Sequence, residues 1–140
     1  MTRRHKARRW VLQILYAWDL QGQQGDLRAE AAAFFLRRRV GETGRRFAER
    51  LIEAVAGNGP AIDAHLTENT PGWALERLGA IDRNILRIAI AEFLFLDDVP
   101  FKVTIDEAVT LAGRFGGDDS PRFVNGILDA VAHRLDLIPS

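Results

Sequence analysis

Apolar residues recur along this chain at intervals of three and four, and no stretch longer than a few residues alternates with period two. The pattern predicts an all-helical fold that needs no strands. A first helix, from Thr2 as expected N-cap to Leu20, carries Val11, Ile14, Leu15 and Trp18 on one stripe, widened by Leu12. A second, Asp26 to about Arg38, opens on a capping aspartate and sets Ala29, Ala32, Ala33 and Leu36 at helical spacing. After the break at Gly41 to Gly44, a third helix carries Phe47, Leu51, Ala54 and Val55 and is expected to stop at Gly57-Asn58-Gly59.

Pro60 then suits the first turn of a fourth helix with Ile62 and Leu66, closed by Asn69-Thr70-Pro71-Gly72. A short turn from Trp73 to Leu78 leads to the most apolar segment. There Ile81, Ile85, Leu86, Ile88, Ala89, Phe93 and Leu96 cover most of a helix circumference, which predicts a central, buried helix. The next helix, Phe101 to Phe115, is expected to turn Val103, Ala108, Leu111 and Ala112 inward. Asp119 or Ser120 caps the last, with Pro121 in its first turn and Phe123, Val124, Ile127, Leu128, Val131 and Leu135 as its apolar side. The expected architecture is one domain over residues 1–140. It comprises a three-helix-bundle-like subdomain, 1–58, packed on a four-helix subdomain, 59–140.

Composition narrows the chemistry. With no cysteine among 140 residues, disulfide scaffolds, thiolate metal sites and cysteine nucleophiles are excluded, and a reducing, cytoplasmic setting is expected. No run approaches the roughly 18 apolar residues of a membrane span. His5, His65 and His133 lack metal-ligand spacing, no GxSxG nucleophile elbow occurs, and Gly113 to Gly117 follows a helix instead of opening one. No catalytic residue, metal or cofactor is expected.

Charge changes the picture more. The 19 basic and 19 acidic side chains cancel, but residues 1–50 hold 12 basic against 5 acidic, and residues 51–140 hold 7 against 14. The chain is therefore +7 in its first part and −7 in its second, a division that points to two different partners. Arg3, Arg4, Lys6, Arg8 and Arg9 stack five positive charges on the first two turns of helix one. That is the wrong sign for a helix N-terminus and costs about 0.3–1 kcal/mol per near-terminal charge. Phosphate binding is the leading reason for placing them there. A second basic group, Arg37 to Arg39 with Arg45, Arg46 and Arg50, could enlarge a nucleic-acid footprint, but Glu42, Glu49 and Glu53 are interleaved with it, which favours a solvated, partly self-paired face.

Three segments of the second half are more specific. They are Ile81-Asp82-Arg83-Asn84-Ile85-Leu86-Arg87-Ile88-Ala89, Asp98-Val99-Pro100-Phe101-Lys102-Val103-Thr104-Ile105-Asp106-Glu107-Ala108-Val109 and Phe115-Gly116-Gly117-Asp118-Asp119-Ser120-Pro121-Arg122-Phe123-Val124-Asn125-Gly126. With Arg8-Arg9 leading into Leu12-Gln13-Ile14-Leu15-Tyr16-Ala17-Trp18, they closely resemble the NusB family of transcription antitermination proteins. The resemblance implies two packed helical bundles and a binding function without catalysis. It implies pairing with the ribosomal protein NusE, binding of the pair to the single-stranded boxA element of nascent RNA, above all in ribosomal RNA operons, and assembly with other Nus factors on RNA polymerase.

Carried onto matching positions, RNA contact falls on Arg3, Arg4, Lys6, Arg8 and Arg9 and on the last-helix entrance, Asp119, Ser120, Arg122 and Phe123. The NusE contact falls on Tyr16, Glu76 and Asp82. Single-stranded RNA needs cations for its backbone and flat groups for its bases, while a basic ribosomal protein suits the acidic second part. For Phe123, apolar spacing with Ile127 leaves burial and base stacking both open. Two other readings remain at this point: an RNA-binding module like the N-terminal domain of an rRNA methyltransferase, and a purely protein-binding helical scaffold or homodimer.

Overall fold

A computed structural model describes residues 3–72 and 74–138, with Glu76 by its backbone alone. Among the described residues it contains α1 (Arg3–Leu20), α2 (Leu27–Arg38), α3 (Glu42–Glu68), α4 (Ala80–Phe95), α5 (Phe101–Phe115) and α6 (Ser120–Arg134), with a 3-10 turn at Leu75–Arg77 and no strand. The expected N-cap Thr2 lies outside the described residues. None of the described helices is long and apolar enough to cross a membrane.

Helix α4 is the hub, packing on α1, α3, α5 and α6. Every residue from Asn84 to Glu92 is buried, so this helix exposes no polar face along its middle. The expected stripe of α1 is equally clear: Val11, Leu12, Ile14 and Leu15 are buried and Trp18 packs at the core edge. Asp26 caps α2 as expected, its Oδ1 accepting from the Arg28 backbone N–H at 3.1 Å.

The expected break at Gly57 to Pro60 is present as a kink within α3, where Asn58 leaves the helical region at φ −138°. Pro60, lacking an N–H, breaks the helical ladder locally, and the Asn58 side-chain amide donates to the Ala54 carbonyl at 2.9 Å across the kink. Two expectations change. In α2 the buried face is Leu27, Ala31, Phe34 and Phe35, while Leu36 stands 80% exposed. Two phenylalanines and a leucine remove far more apolar surface from water than a row of alanines, so they decide which way the helix turns. Val103 is also left outward, on α5, where Ala108, Leu111 and Ala112 define the buried side together with Thr104.

Two close approaches set the site. A Cβ on Gly44 would lie 2.9 Å from the Trp10 ring, so glycine lets α1 lie against the first turn of α3. A Cβ on Gly116 would lie 2.5 Å from Ser120 Oγ, and glycine there permits the tight passage from α5 into α6.

Candidate nucleic-acid interface

The first turns of α1 lie across the N-terminal part of α3 and bring two basic segments together. Arg3, Arg4, Thr43, Arg46, Phe47 and Arg50 line an open groove of about 470 Å³. Beside it, Arg3, Lys6, Trp10, Thr43 and Gly44 line a second of about 270 Å³. Arg3, Arg4 and Lys6 are exposed, as are Arg46 and Arg50. The Phe47 ring is buried under this surface, with the guanidiniums of Arg4, Arg8 and Arg50 at 4.7, 5.0 and 5.8 Å from its centroid. The quadrupole of the ring gathers cations that would otherwise repel one another.

Arg8 corrects the sequence expectation. It was expected on the RNA side, yet it is 2% exposed and forms a two-pronged pair with Glu92: Nε to Oε2 and Nη2 to Oε1, both at 2.8 Å. Thr104 Oγ1 donates to the same Glu92 Oε1 at 2.9 Å. His5, also buried, bonds Glu107 on α5. Residues 4 and 8 share one face of α1, both over the Phe47 ring, but Arg4 stands at the helix end and reaches water, whereas Arg8, one turn further in, is sealed in the hub, where its charge joins α1 to α4. Arg9 lies at intermediate depth.

Asp82 and the expected contacts at the entrance of the last helix meet at a corner between α4 and α6. Asp119 and Arg122 are exposed, and Phe123 is half-buried against the core. Ser120 is buried and already employed: its hydroxyl donates to Asp82 Oδ2 at 3.0 Å and accepts from the Gly117 N–H at 2.9 Å. It therefore shapes the turn and offers no free hydroxyl to a base. Asp82 sits in the first turn of α4, where the helix dipole favours its charge, and its Oδ1 is buried without a hydrogen bond. Tyr16 is half-buried on α1. The Glu76 side chain lies outside the described residues.

At the far end of α1, Asp19 is the centre of a second inward network. Its Oδ2 accepts from Arg83 Nε at 2.7 Å, Asn84 Nδ2 at 2.9 Å and Arg87 Nη1 at 2.9 Å. Arg87 also reaches Asp63 of α3 at 2.8 Å, and Arg83 closes the 3-10 turn through the Leu75 and Leu78 carbonyls. Burial pushes the Asp19 carboxyl upward, but the hydrogen bonds from Arg83 and Asn84 and the charges of Arg87 and Arg83 outweigh it and hold the group below its ordinary value.

Among the described residues, two acidic side chains reach this surface: Glu42, which lines the second groove and pairs with Arg46 at 2.7 Å, and Asp98, in the loop after α4. Hydrogen bonds from Arg50 and then Arg4 hold the Asp98 carboxyl far below the usual carboxylate range. Sequence reasoning missed Asp98, and it set second the reading in which Arg46 and Arg50 extend the α1 cluster. The i, i+4 spacing of Arg46 and Arg50 was a signal for that reading. The self-pairing read from the interleaved glutamates is present in Arg45–Glu49 and Arg46–Glu42, both at helical i, i+4 spacing, and in the longer-range pair Arg28–Glu53. Arg38 instead lies over Phe34 at 5.0 Å, and Arg39 ends α2 in the left-handed region at φ 51°.

Comparison with known proteins is consistent along the whole chain. The model of the NusB family matches residues 5–133. The transcription antitermination protein NusB of Desulfotalea psychrophila is 43% identical over 135 residues, covering 94% of this chain and 96% of that protein. Its counterpart in Desulfitobacterium hafniense is 38% identical over 95% of this chain and 90% of that protein. Among solved structures, T. maritima NusB superposes with a TM-score of 0.86 at 35% identity, covering 93% and 90% of the two chains. A structure of the antitermination factors NusB and NusE in complex with dsRNA shares the fold, with a TM-score of 0.85 at 24% identity over 96% and 98%. The chain belongs to the NusB family.

Proposed function

We propose that this protein is a transcription antitermination factor that binds the boxA element of nascent RNA, especially ribosomal RNA transcripts, together with the ribosomal protein NusE. It acts in the cytoplasm as a non-catalytic adaptor, joining other Nus factors on RNA polymerase so that the enzyme reads through terminators. The observation that carries this reading is the match, over nearly the full length of each chain, to relatives that are transcription antitermination proteins. The solved NusB–NusE complex with dsRNA supports the pairing of an RNA and a ribosomal protein on this fold.

The geometry supports a division of labour. Arg3, Arg4, Lys6 and Arg9 hold the RNA backbone, and the corner of Asp119, Arg122 and Phe123 offers it a guanidinium plane and an aromatic edge. Arg8 and Ser120 act one step back, fixing α1 on the hub and the 116–120 turn on Asp82. Tyr16, Glu76 and Asp82 form the face for the basic ribosomal protein, to which the two carboxylates bring complementary charge.

Titration of labelled boxA RNA with and without the cognate NusE tests the reading. Salt-sensitive binding that tightens with NusE is expected, with log affinity falling against log salt at a slope near −3 if four or five phosphates are neutralised. Folded protein that binds neither RNA nor NusE would refute it, and a homodimer with a closed basic face would then be the better account.

A further inference from the structure

Asp98 reaches from the loop after α4 to the mouth of the basic groove. Its Oδ2 accepts from Arg4 Nη2 at 2.9 Å and from Arg50 Nη1 at 3.2 Å, and its Oδ1 accepts from Arg50 Nη2 at 2.5 Å. One carboxylate is therefore gripped by guanidiniums from two helices, and by Arg50 with both prongs. The three side chains are each a little under half exposed, so the cluster stands in contact with water at the groove edge. A guanidinium fork fits a phosphate as well as it fits a carboxylate. Arg3, Thr43 and Arg46 line the same groove.

We propose that the polyanion track of this protein runs from the start of α1 onto Arg46 and Arg50 of α3, and that Asp98 holds in the free protein the place that a backbone phosphate takes on binding. Asp98 is then an internal competitor that sets how tightly any phosphate chain is held. The proposal rests on the RNA reading above for the identity of the ligand, and on the groove geometry for the competition.

The ion pairs do not hold the loop in place. Leu96 and Val99 are buried on either side of Asp98, the Leu96 N–H donates to the Glu92 carbonyl, and the Val99 N–H donates to the Leu96 carbonyl, both at 3.1 Å. Exposed ion pairs add little to stability, so an incoming phosphate can replace this one at small cost to the fold. Displacement leaves the Asp98 carboxylate in water beside the RNA, where it repels the strand and recruits a cation. Binding by the natural protein thus releases fewer counterions than its arginines alone would predict.

Asp97 supplies the control. It is exposed, one residue away and equally charged, but it makes none of these bonds. Asp98→Asn and Asp97→Asn are compared for affinity toward single-stranded boxA RNA and toward inorganic polyphosphate over a range of salt. Asp98→Asn is expected to tighten both probes about three- to tenfold at low salt. It should also steepen the slope by ~0.7 for each phosphate newly neutralised. Asp97→Asn is expected to change either affinity less than about twofold, as a charge outside the cluster does.

Equal gains in the two variants overturn the proposal, because general charge then accounts for both. A weaker Asp98→Asn also overturns it, since Asp98 would then be arranging the arginines for the ligand. A difference seen with polyphosphate while RNA fails to bind keeps the competition and rejects the RNA reading. RNA binding with no difference between the variants does the reverse.

Discussion

The outward and inward faces of the first two turns of α1 carry positive charge to opposite ends. Arg3 and Lys6 meet water beside α3, whereas Arg8 is sealed against Glu92 and Thr104 in the hub. The outward charges stand in water and are available to a phosphate chain. The inward charge has no ligand to spare, and its loss leaves the buried Glu92 carboxylate with the Thr104 hydroxyl but no countercharge. A run of arginines is thus not one functional unit: helix periodicity divides it into a binding surface and a structural staple.

The largest effect that tests this contrast is Arg8→Ala, which is expected to destabilise the fold by about 3–5 kcal/mol in denaturant unfolding, since it strands a buried carboxylate. Replacing both partners, as Arg8→Met with Glu92→Leu, should recover most of that loss. An Arg8→Ala protein of unchanged stability that had lost RNA binding would break the distinction.

Next comes the inward network at the other end of α1. Asp19→Asn is expected to cost about 1–3 kcal/mol near neutral pH, as charge-assisted hydrogen bonds from Arg83 and Arg87 are weakened. Because the folded-state value of Asp19 lies below its ordinary 3.8, its contribution is complete above that value and is lost as the pH falls through the lower folded one. Acid unfolding of Asp19→Asn should therefore depend less steeply on pH below about 4 than that of the natural protein. Parallel curves would remove Asp19 from the acid-sensitive network.

Much of this architecture was legible in the residues. The helical period, the Asp26 cap and the apolar belt of α4 are local or nearly local signals, and they appear where the periodicity places them. The break at Gly57 to Pro60 was legible and appears as the kink at Asn58; spacing did not show that Ile62 and Leu66 beyond it pack into the same core as the residues before it. In α2, spacing alone admitted two faces, and the aromatic pair settled between them.

The candidate site was legible as a charge cluster but not as a geometry. Which arginine turns inward depends on Glu92, 84 residues away, and the partner of Arg4 and Arg50 is Asp98, contributed by a distant loop. Pairings at such separations leave no mark in local spacing. The Ser120–Asp82 bond is of the same kind: two residues expected to face different partners prove to hold each other.

The claim that binding and folding charges are divided between two faces of one helix is tested most directly by the salt dependence of RNA affinity in two variants. One is outward, Arg3→Ala with Lys6→Ala; the other is inward, Arg8→Met with Glu92→Leu. The outward variant should lose ~1.4 from the slope, at ~0.7 for each phosphate contact removed. Its unfolding free energy should stay within about 0.5 kcal/mol. The inward variant should keep the slope of the natural protein. Loss of slope in the inward variant, or an unchanged slope in the outward one, would contradict the account.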